Sequence, residues 1–223
     1  MSEREERRRY SRVQVQGVGA MISGLSVELV GVGPVELVDL GYGGAAFSQP
    51  EKARVSLTGE IINLDFFMNG KKGHTLKARV ARLTDQMFAV EFVEATKNMK
   101  TFVDQLISNR MVGLNMNLVD PQFYRGKESF AYWFHGPKGT NLFLWENNGA
   151  LQKATMDFPD LALHWENGKF HIDNKMNRGN KLQGPALGEG LMRLAAEILS
   201  QMRSNVDLLD AFKKVVTEKV LAE

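Results

Sequence analysis

Hydrophobic and polar residues alternate with a period of two through much of the first hundred positions, beginning at Val13 and Val15. The further candidate strands are residues 25–29, 35–37, 52–57, 61–68, 76–83 and 87–92. Side chains two positions apart lie on one face of a strand, and the pairs Asn69-Gly70 and Thr84-Asp85 favour turns between strands. Several short strands of this kind predict an antiparallel barrel or sandwich.

The spacing becomes helical between residues 95 and 110. Apolar residues recur there at intervals of three and four, at Met99, Phe102, Val103, Leu106 and Ile107. This pattern predicts a helix with one buried face. We expect the helix to close the first unit and residues 111–117 to form a linker.

The remaining chain, residues 113–223, is predicted to form a smaller α+β unit. Two hairpins are expected, with turns at 136–139 and at Asn167-Gly168, and the polar stretch 174–184 is expected to be a loop. A helical stripe begins at Leu191, and Ser204 stands three residues before Asp207, as in a capping box for a second helix. We expect the many aromatic residues of this unit to lie mainly in its core, with Trp133 on the face opposite its neighbours.

Composition excludes several classes of protein. Lys and Arg number 28 against 26 Asp and Glu, a net charge of +2 that is too small to hold duplex nucleic acid or an anionic membrane through a chain-wide field. The chain has no Cys, and its four His lack the spacing of metal-binding motifs, so no metal site is predicted. We expect a cytoplasmic protein, because no apolar run has the length of a membrane span or follows the basic start as in a signal peptide.

Basic residues are concentrated in a leader, residues 1–12, where Arg8 and Arg12 precede the first strand. The segment from Asp39 to Gly44 lies where one predicted strand ends and the next begins. Arginine binds phosphate and the O6/N7 edge of guanine, a carboxylate accepts hydrogen bonds from guanine N1 and N2, and glycines let backbone N–H groups approach phosphate. Together these residue types indicate a site for a guanine nucleotide.

The two motifs, R-x-x-x-R at Arg8 and Arg12 and D-x-G-x-x-G at Asp39, Gly41 and Gly44, resemble the R-x-x-x-R and [D/N]-x-S-x-x-G motifs of the PilZ family. The likeness covers about residues 7–110 and includes the strands near residues 78–82 and 88–92. PilZ domains are six-stranded barrels that bind the bacterial second messenger cyclic di-GMP. The resemblance therefore implies an all-β, six-stranded antiparallel barrel over residues 13–112, closed by its helix, with the α+β domain 113–223 ending in C-terminal helices.

The resemblance also implies roles for individual residues. Arg8 and Arg12 would hold guanine and phosphate, Asp39 would bond a guanine edge, Gly44 would keep the turn open, and Arg9 would be an auxiliary phosphate contact. The candidate ligand-binding residues are Arg8, Arg9, Arg12, Asp39, Gly41, Gly43 and Gly44.

One position departs from the family motif. Gly41 replaces the serine, which removes a hydroxyl whose hydrogen bond is typically worth about 0.5–1.5 kcal/mol. The neighbouring Tyr42 is a candidate for stacking on a base. Ligand binding would then be weakened without being abolished.

The sequence thus predicts a non-catalytic cyclic di-GMP receptor that relays the messenger level to a protein partner through residues 113–223, with a homodimer left open. No nucleophile elbow or phosphate-binding loop motif indicates an enzyme. The alternative is a degenerate PilZ-like adaptor that binds proteins and no nucleotide, with Gly41 as its symptom. A single-stranded RNA or DNA binder that uses the arginine leader is a third class, disfavoured by the nearly neutral remainder of the chain.

Overall fold

The computed structural model describes residues 11–15, 24–50, 58–93, 96–175 and 185–222. Packing divides the chain into two compact units, Met1–Ser108 and Asn109–Glu223. The candidate residues Arg8 and Arg9 and the predicted strand 52–57 lie outside the described residues.

The first unit contains an antiparallel sheet of eight described strands. These are β1 (Arg12–Gln14), β2 (Leu25–Leu29), β3 (Gly33–Val35), β4 (Leu37–Gly41), β5 (Gly44–Ser48), β6 (Ile61–Met68), β7 (Lys71–Leu83) and β8 (Met87–Phe92). Their spatial order is β1-β4-β5-β8-β7-β6-β2-β3, with β1 and β3 at the edges. The antiparallel class is confirmed, whereas the described strands number eight and do not close into the predicted six-stranded barrel.

Alternation explains the longest pair of strands. Leu64 in β6 lies opposite Leu76 in β7, and both are buried. The residues directly before and after each leucine in its own strand are more exposed. Asn69 and Gly70 join the two strands with φ values of 49° and 74°, the left-handed conformation that this turn requires. The turn predicted at residues 84–85 is also present, between β7 and β8.

A helix, α1 (Lys97–Leu114), follows β8 with Phe102, Val103 and Ile107 among its buried residues. It runs four residues beyond the predicted end at residue 110. The predicted linker at 111–117 is therefore wrong, since the helix occupies more than half of it.

The second unit combines an antiparallel sheet with two helices among its described residues. The strands are β9 (Asn117–Leu118), β10 (Tyr132–His135), β11 (Asn141–Asn147), β12 (Ala150–Asp157), β13 (Leu161–Glu166) and β14 (Lys169–Asn174), followed by α2 (Pro185–Gln201) and α3 (Asp207–Leu221). The strands lie side by side in chain order. Both predicted hairpins are present, and β12 is a strand that the sequence pattern missed.

One face of this sheet forms a core with α2 and α3. Phe134, Leu142 and Leu144 from the sheet belong to the same buried cluster as Leu199 and Phe212 from the helices. The predicted capping box is wrong, because the N-cap of α3 is Val206, in an extended conformation and without a side-chain hydrogen bond.

The aromatic residues of the second unit divide between the two faces of the sheet. Phe134 is in the core, as predicted, and alternation places Trp133 on the other face. A second aromatic cluster forms there from Tyr124, Phe130, Trp133, Phe143 and Trp145. The expectation that the aromatics lie mainly in the core is therefore wrong for this cluster.

Candidate functional site

The first and fourth strands bring the two predicted motifs together. β1 pairs with β4 so that Arg12 lies opposite Gly41 and Gln14 opposite Asp39. Arg12 and Asp39 are thus diagonal neighbours across two strands, close enough for long side chains to interact. Arg12 Nη1 donates a hydrogen bond to Asp39 Oδ1 at 3.1 Å, although the residues are 27 positions apart in the chain.

This ion pair is partly exposed to solvent. The Arg12 side chain is 36% exposed and the Asp39 side chain 17%. Exposed ion pairs are worth only about 0–1 kcal/mol, so a ligand can exchange part of the contact for its own hydrogen bonds. The arrangement offers a cation and a carboxylate at one position on the sheet surface.

Gly41 allows β1 to lie close to β4. A Cβ atom at Gly41 would stand 2.8 Å from the Ser11 carbonyl oxygen and 3.0 Å from Arg12 Cγ. Any side chain at this position would therefore displace the backbone that carries Arg12. Gly41 stands where the family motif has serine, and β1, which carries Arg12, lies close to β4 at this position.

Gly44 has an equally specific packing role. A Cβ atom there would collide with the Val90 carbonyl oxygen of β8 and lie 3.3 Å from Arg12 Nη2. Glycine is thus required for β5 to pair with β8, and it also leaves space beside the Arg12 guanidinium. The predicted role of Gly44, keeping the turn open for a ligand, remains a prediction.

The turn between β4 and β5, residues 42 and 43, is partly exposed and held by main-chain contacts. The backbone N–H of Phe92 donates to the carbonyl oxygen of Gly43 at 3.0 Å. Gly43 therefore contributes its carbonyl to the packing of β8. The structure brings Arg12, Asp39, Gly41, Gly43 and Gly44 into one region.

Tyr42 makes a contact that sequence reasoning missed. Its hydroxyl donates a short hydrogen bond to the Asp104 carboxylate on α1. Burial raises the pKa of Tyr42 to about 12, with smaller contributions from the hydrogen bond and the negative charge of Asp104. Asp104 lies on the exposed side of α1, where a charged residue is ordinary, so no sequence signal distinguished it.

The cross-strand register extends the site across the sheet. From Arg12 and Gly41 it passes to Gly44, then to Glu91 in β8 and Arg79 in β7. Arg79 and Glu91 are both exposed. Gly41 and Gly44 thus lie between two pairs of oppositely charged residues. The first pair is Arg12 with Asp39, and the second is Arg79 with Glu91.

The second unit contains a polar network of Thr155, His164 and Asp173, residue types that form catalytic triads in some enzymes. Thr155 Oγ1 lies 2.9 Å from His164 Nδ1, and His164 Nε2 lies 3.2 Å from Asp173 Oδ2. A threonine nucleophile has to be reached by substrate, and Thr155 is only 7% exposed. The geometry therefore favours a structural cross-strand network. No group of three or more His, Asp or Glu that could hold a metal occurs within the described ranges.

Comparison with known proteins supports the resemblance in the first unit. The PilZ domain family model matches residues 6–109, so the N-terminal half of the chain carries a PilZ domain. This is a family of cyclic di-GMP receptors, and no family of enzymes is indicated. No curated protein matches the chain.

A solved structure of an uncharacterized Legionella protein, Lpg0364, is similar at 16% sequence identity, with a TM-score of 0.33, and covers 45% of this chain and 98% of its own. In the part of the chain that the structure describes, no helix is both long and apolar enough to cross a membrane.

Proposed function

We propose that the protein is a non-catalytic receptor for cyclic di-GMP, which binds at the surface formed by Arg12, Asp39 and the turn 41–44. The observation that carries this proposal is the 3.1 Å contact between Arg12 and Asp39, the two charged members of separate motifs. The PilZ domain match over the same residues supports it. Arg8 and Arg9 would complete the site from the leader.

The chemistry of the pair suits a guanine nucleotide. The Arg12 guanidinium has five N–H donors, and its contact with Asp39 leaves others for a phosphate oxygen or the guanine O6/N7 edge. The Asp39 carboxylate accepts hydrogen bonds from guanine N1 and N2. Because the ion pair already holds both side chains in position, less conformational entropy is lost when the ligand binds.

We further propose that residues 113–223 relay ligand binding to a protein partner in the cytoplasm. A relay requires two states with different affinities for the nucleotide. Small-angle scattering profiles that are identical with and without nucleotide would contradict it. Sedimentation in the same two conditions decides between a monomer and a homodimer.

Titration calorimetry with cyclic di-GMP tests the receptor proposal. We expect Arg12→Ala and Asp39→Ala each to weaken binding about ten- to a hundredfold, as for loss of hydrogen bonds to charged groups. Matched controls are Arg203→Ala, at an exposed position in the second unit, and Asp65→Ala, which breaks the 2.7 Å contact with Lys72 in the same sheet. Both controls should bind as the wild type does. Absence of heat with the wild-type protein would refute the receptor.

The degenerate adaptor remains the second candidate, and Gly41 is the observation that favours it. The tight contact of Gly41 with Ser11 and Arg12 leaves no space for the family serine. In an adaptor the Arg12–Asp39 pair would serve only to attach β1. Calorimetry then gives no heat with the wild type, and Arg12→Ala and Asp39→Ala lower its stability without affecting any nucleotide.

A further inference from the structure

We propose that Tyr42 and Asp104 form a latch that positions the β4–β5 turn for the nucleotide and couples ligand occupancy of that turn to helix α1. The inference rests on the proposed receptor function and assigns it two positioning residues. Tyr42 occupies an unspecified position of the D-x-G-x-x-G motif, and Asp104 lies outside both motifs.

Tyr42 lies inside the candidate site, between Gly41 and Gly43. Its side chain leaves the turn and reaches Asp104, 62 positions further along the chain. The same helix is anchored to the first unit by Phe102 and Val103, which are 6% and 0% exposed. The hydrogen bond thus joins the apex of the turn to a helix that is itself firmly packed.

The turn is held from three sides. β1 approaches it at Gly41, where Ser11 and Arg12 are in close contact, and β8 holds it through the bond from Phe92 to Gly43. The Tyr42 hydroxyl provides the third attachment, which is a side-chain hydrogen bond. The first two depend on backbone packing of the sheet, whereas the third is a single hydrogen bond at the surface and the easiest to alter.

Thermodynamic linkage gives the latch its function. If the turn conformation that binds nucleotide is the one in which Tyr42 contacts Asp104, the latch raises nucleotide affinity, and nucleotide strengthens the latch by the same factor. Because Asp104 is on α1, nucleotide binding then reduces the motion of that helix. The Tyr42 hydroxyl remains protonated, and therefore a donor, throughout the neutral pH range, since its pKa is about 12.

Calorimetry on three variants tests the latch. Tyr42→Phe and Asp104→Ala each remove the hydrogen bond, and we expect cyclic di-GMP affinity to fall about two- to tenfold in both. The double variant should bind cyclic di-GMP no more weakly than the weaker-binding single variant, because both substitutions remove the same hydrogen bond. Asp104→Asn keeps an acceptor oxygen and should bind within about twofold of the wild type. Tyr124→Phe is the matched control, since its hydroxyl donates to the Ala131 carbonyl in the second unit.

Amide hydrogen exchange supplies a second measurement. Without ligand, the Phe92 amide should exchange faster in Tyr42→Phe and Asp104→Ala than in the wild type and Asp104→Asn, because it bonds to Gly43 in the turn. With ligand, amides of α1 near Asp104 should become protected in the wild type and not in Tyr42→Phe.

The outcomes separate the latch from the receptor. A wild type that binds nucleotide, with variants that show unchanged affinity and exchange, overturns the latch and leaves the receptor. A wild type that binds no nucleotide overturns both. If Asp104→Asn is as weak as Asp104→Ala, the charge of Asp104 matters rather than the hydrogen bond, and the latch is refuted.

Discussion

Replacing Gly44 with alanine tests whether this glycine serves the strand packing that surrounds the site. A Cβ atom at this position falls well inside 3.0 Å of the Val90 carbonyl oxygen, a separation that real Cβ atoms essentially never show. Because that oxygen belongs to the backbone of β8, relief requires β5 and β8 to move apart at the Gly44–Glu91 pair. Overpacking of this kind costs about 1–3 kcal/mol, and a weakened backbone hydrogen bond adds about 1 kcal/mol.

We therefore expect Gly44→Ala to lower the free energy of unfolding by about 2–4 kcal/mol. The assay is urea unfolding followed by circular dichroism. The matched control is Gly73→Ala in β7 of the same sheet, where the nearest atoms to a Cβ are 3.5 and 3.6 Å away. The control should change stability by no more than about 0.5 kcal/mol. Equal effects of the two substitutions would refute the steric argument for Gly44.

Two further predictions concern other parts of the molecule. In the second unit, Gly113→Ala should destabilise by about 1–3 kcal/mol, because a Cβ would collide with the Ile198 carbonyl oxygen, whereas Gly190→Ala, with open space around it in α2, should stabilise by about 0.5–1 kcal/mol. Tryptophan fluorescence during unfolding measures both, since all 3 tryptophans are in this unit, and changes of the same sign would contradict the prediction. For Tyr42, folding raises the pKa from 10.0 to about 12, so the folded state retains a proton that the unfolded state loses above pH 10. The stability of the wild type relative to Tyr42→Phe should therefore be constant below pH 10 and fall as the pH rises towards 12. A difference that is independent of pH would show that burial and the contact with Asp104 do not raise the pKa of Tyr42 in solution.

The sequence pattern predicted those elements in which buried and exposed residues repeat at a regular spacing, as they do in an amphipathic strand or helix. β6 and β7 alternate, and the Asn69-Gly70 turn between them has the required backbone conformation. β5 was harder to recognise, because four consecutive residues, 44–47, are all buried and no alternation remains. β12 contains the extra residue of a bulge, because Trp145 of β11 pairs with Lys153 and Glu146 pairs with Leu151. This shift interrupts the alternation along β12 and obscured the strand.

The end of α1 shows how tertiary packing overrides a local signal. Gly113 is a poor helix former by propensity, and it lies inside the segment predicted to be a linker. In the structure it lies within the helix, where its missing Cβ allows the backbone of α2 to approach at Ile198. Close contact between two helices therefore explains a glycine that a single-chain pattern interprets as a break.

The candidate site shows the same division between what a motif reveals and what only packing reveals. The contact between Arg12 and Asp39 was predictable, because the family resemblance assigns both to one proposed ligand site, and two residues of one site must meet whatever the intervening chain does. Tyr42 and Asp104 were not, because their contact depends on where α1 lies against the turn. Gly41 combines the two, because the motif shows that it replaces a serine and only the packing shows why. Its Cβ would stand 2.8 Å from the Ser11 carbonyl oxygen, so a serine at this position requires β1, and with it Arg12, to lie further away. The missing hydroxyl and the close arginine are consequently one structural change. In the proposed site, a ligand that loses a hydrogen bond at Gly41 would meet an Arg12 that lies closer to the turn.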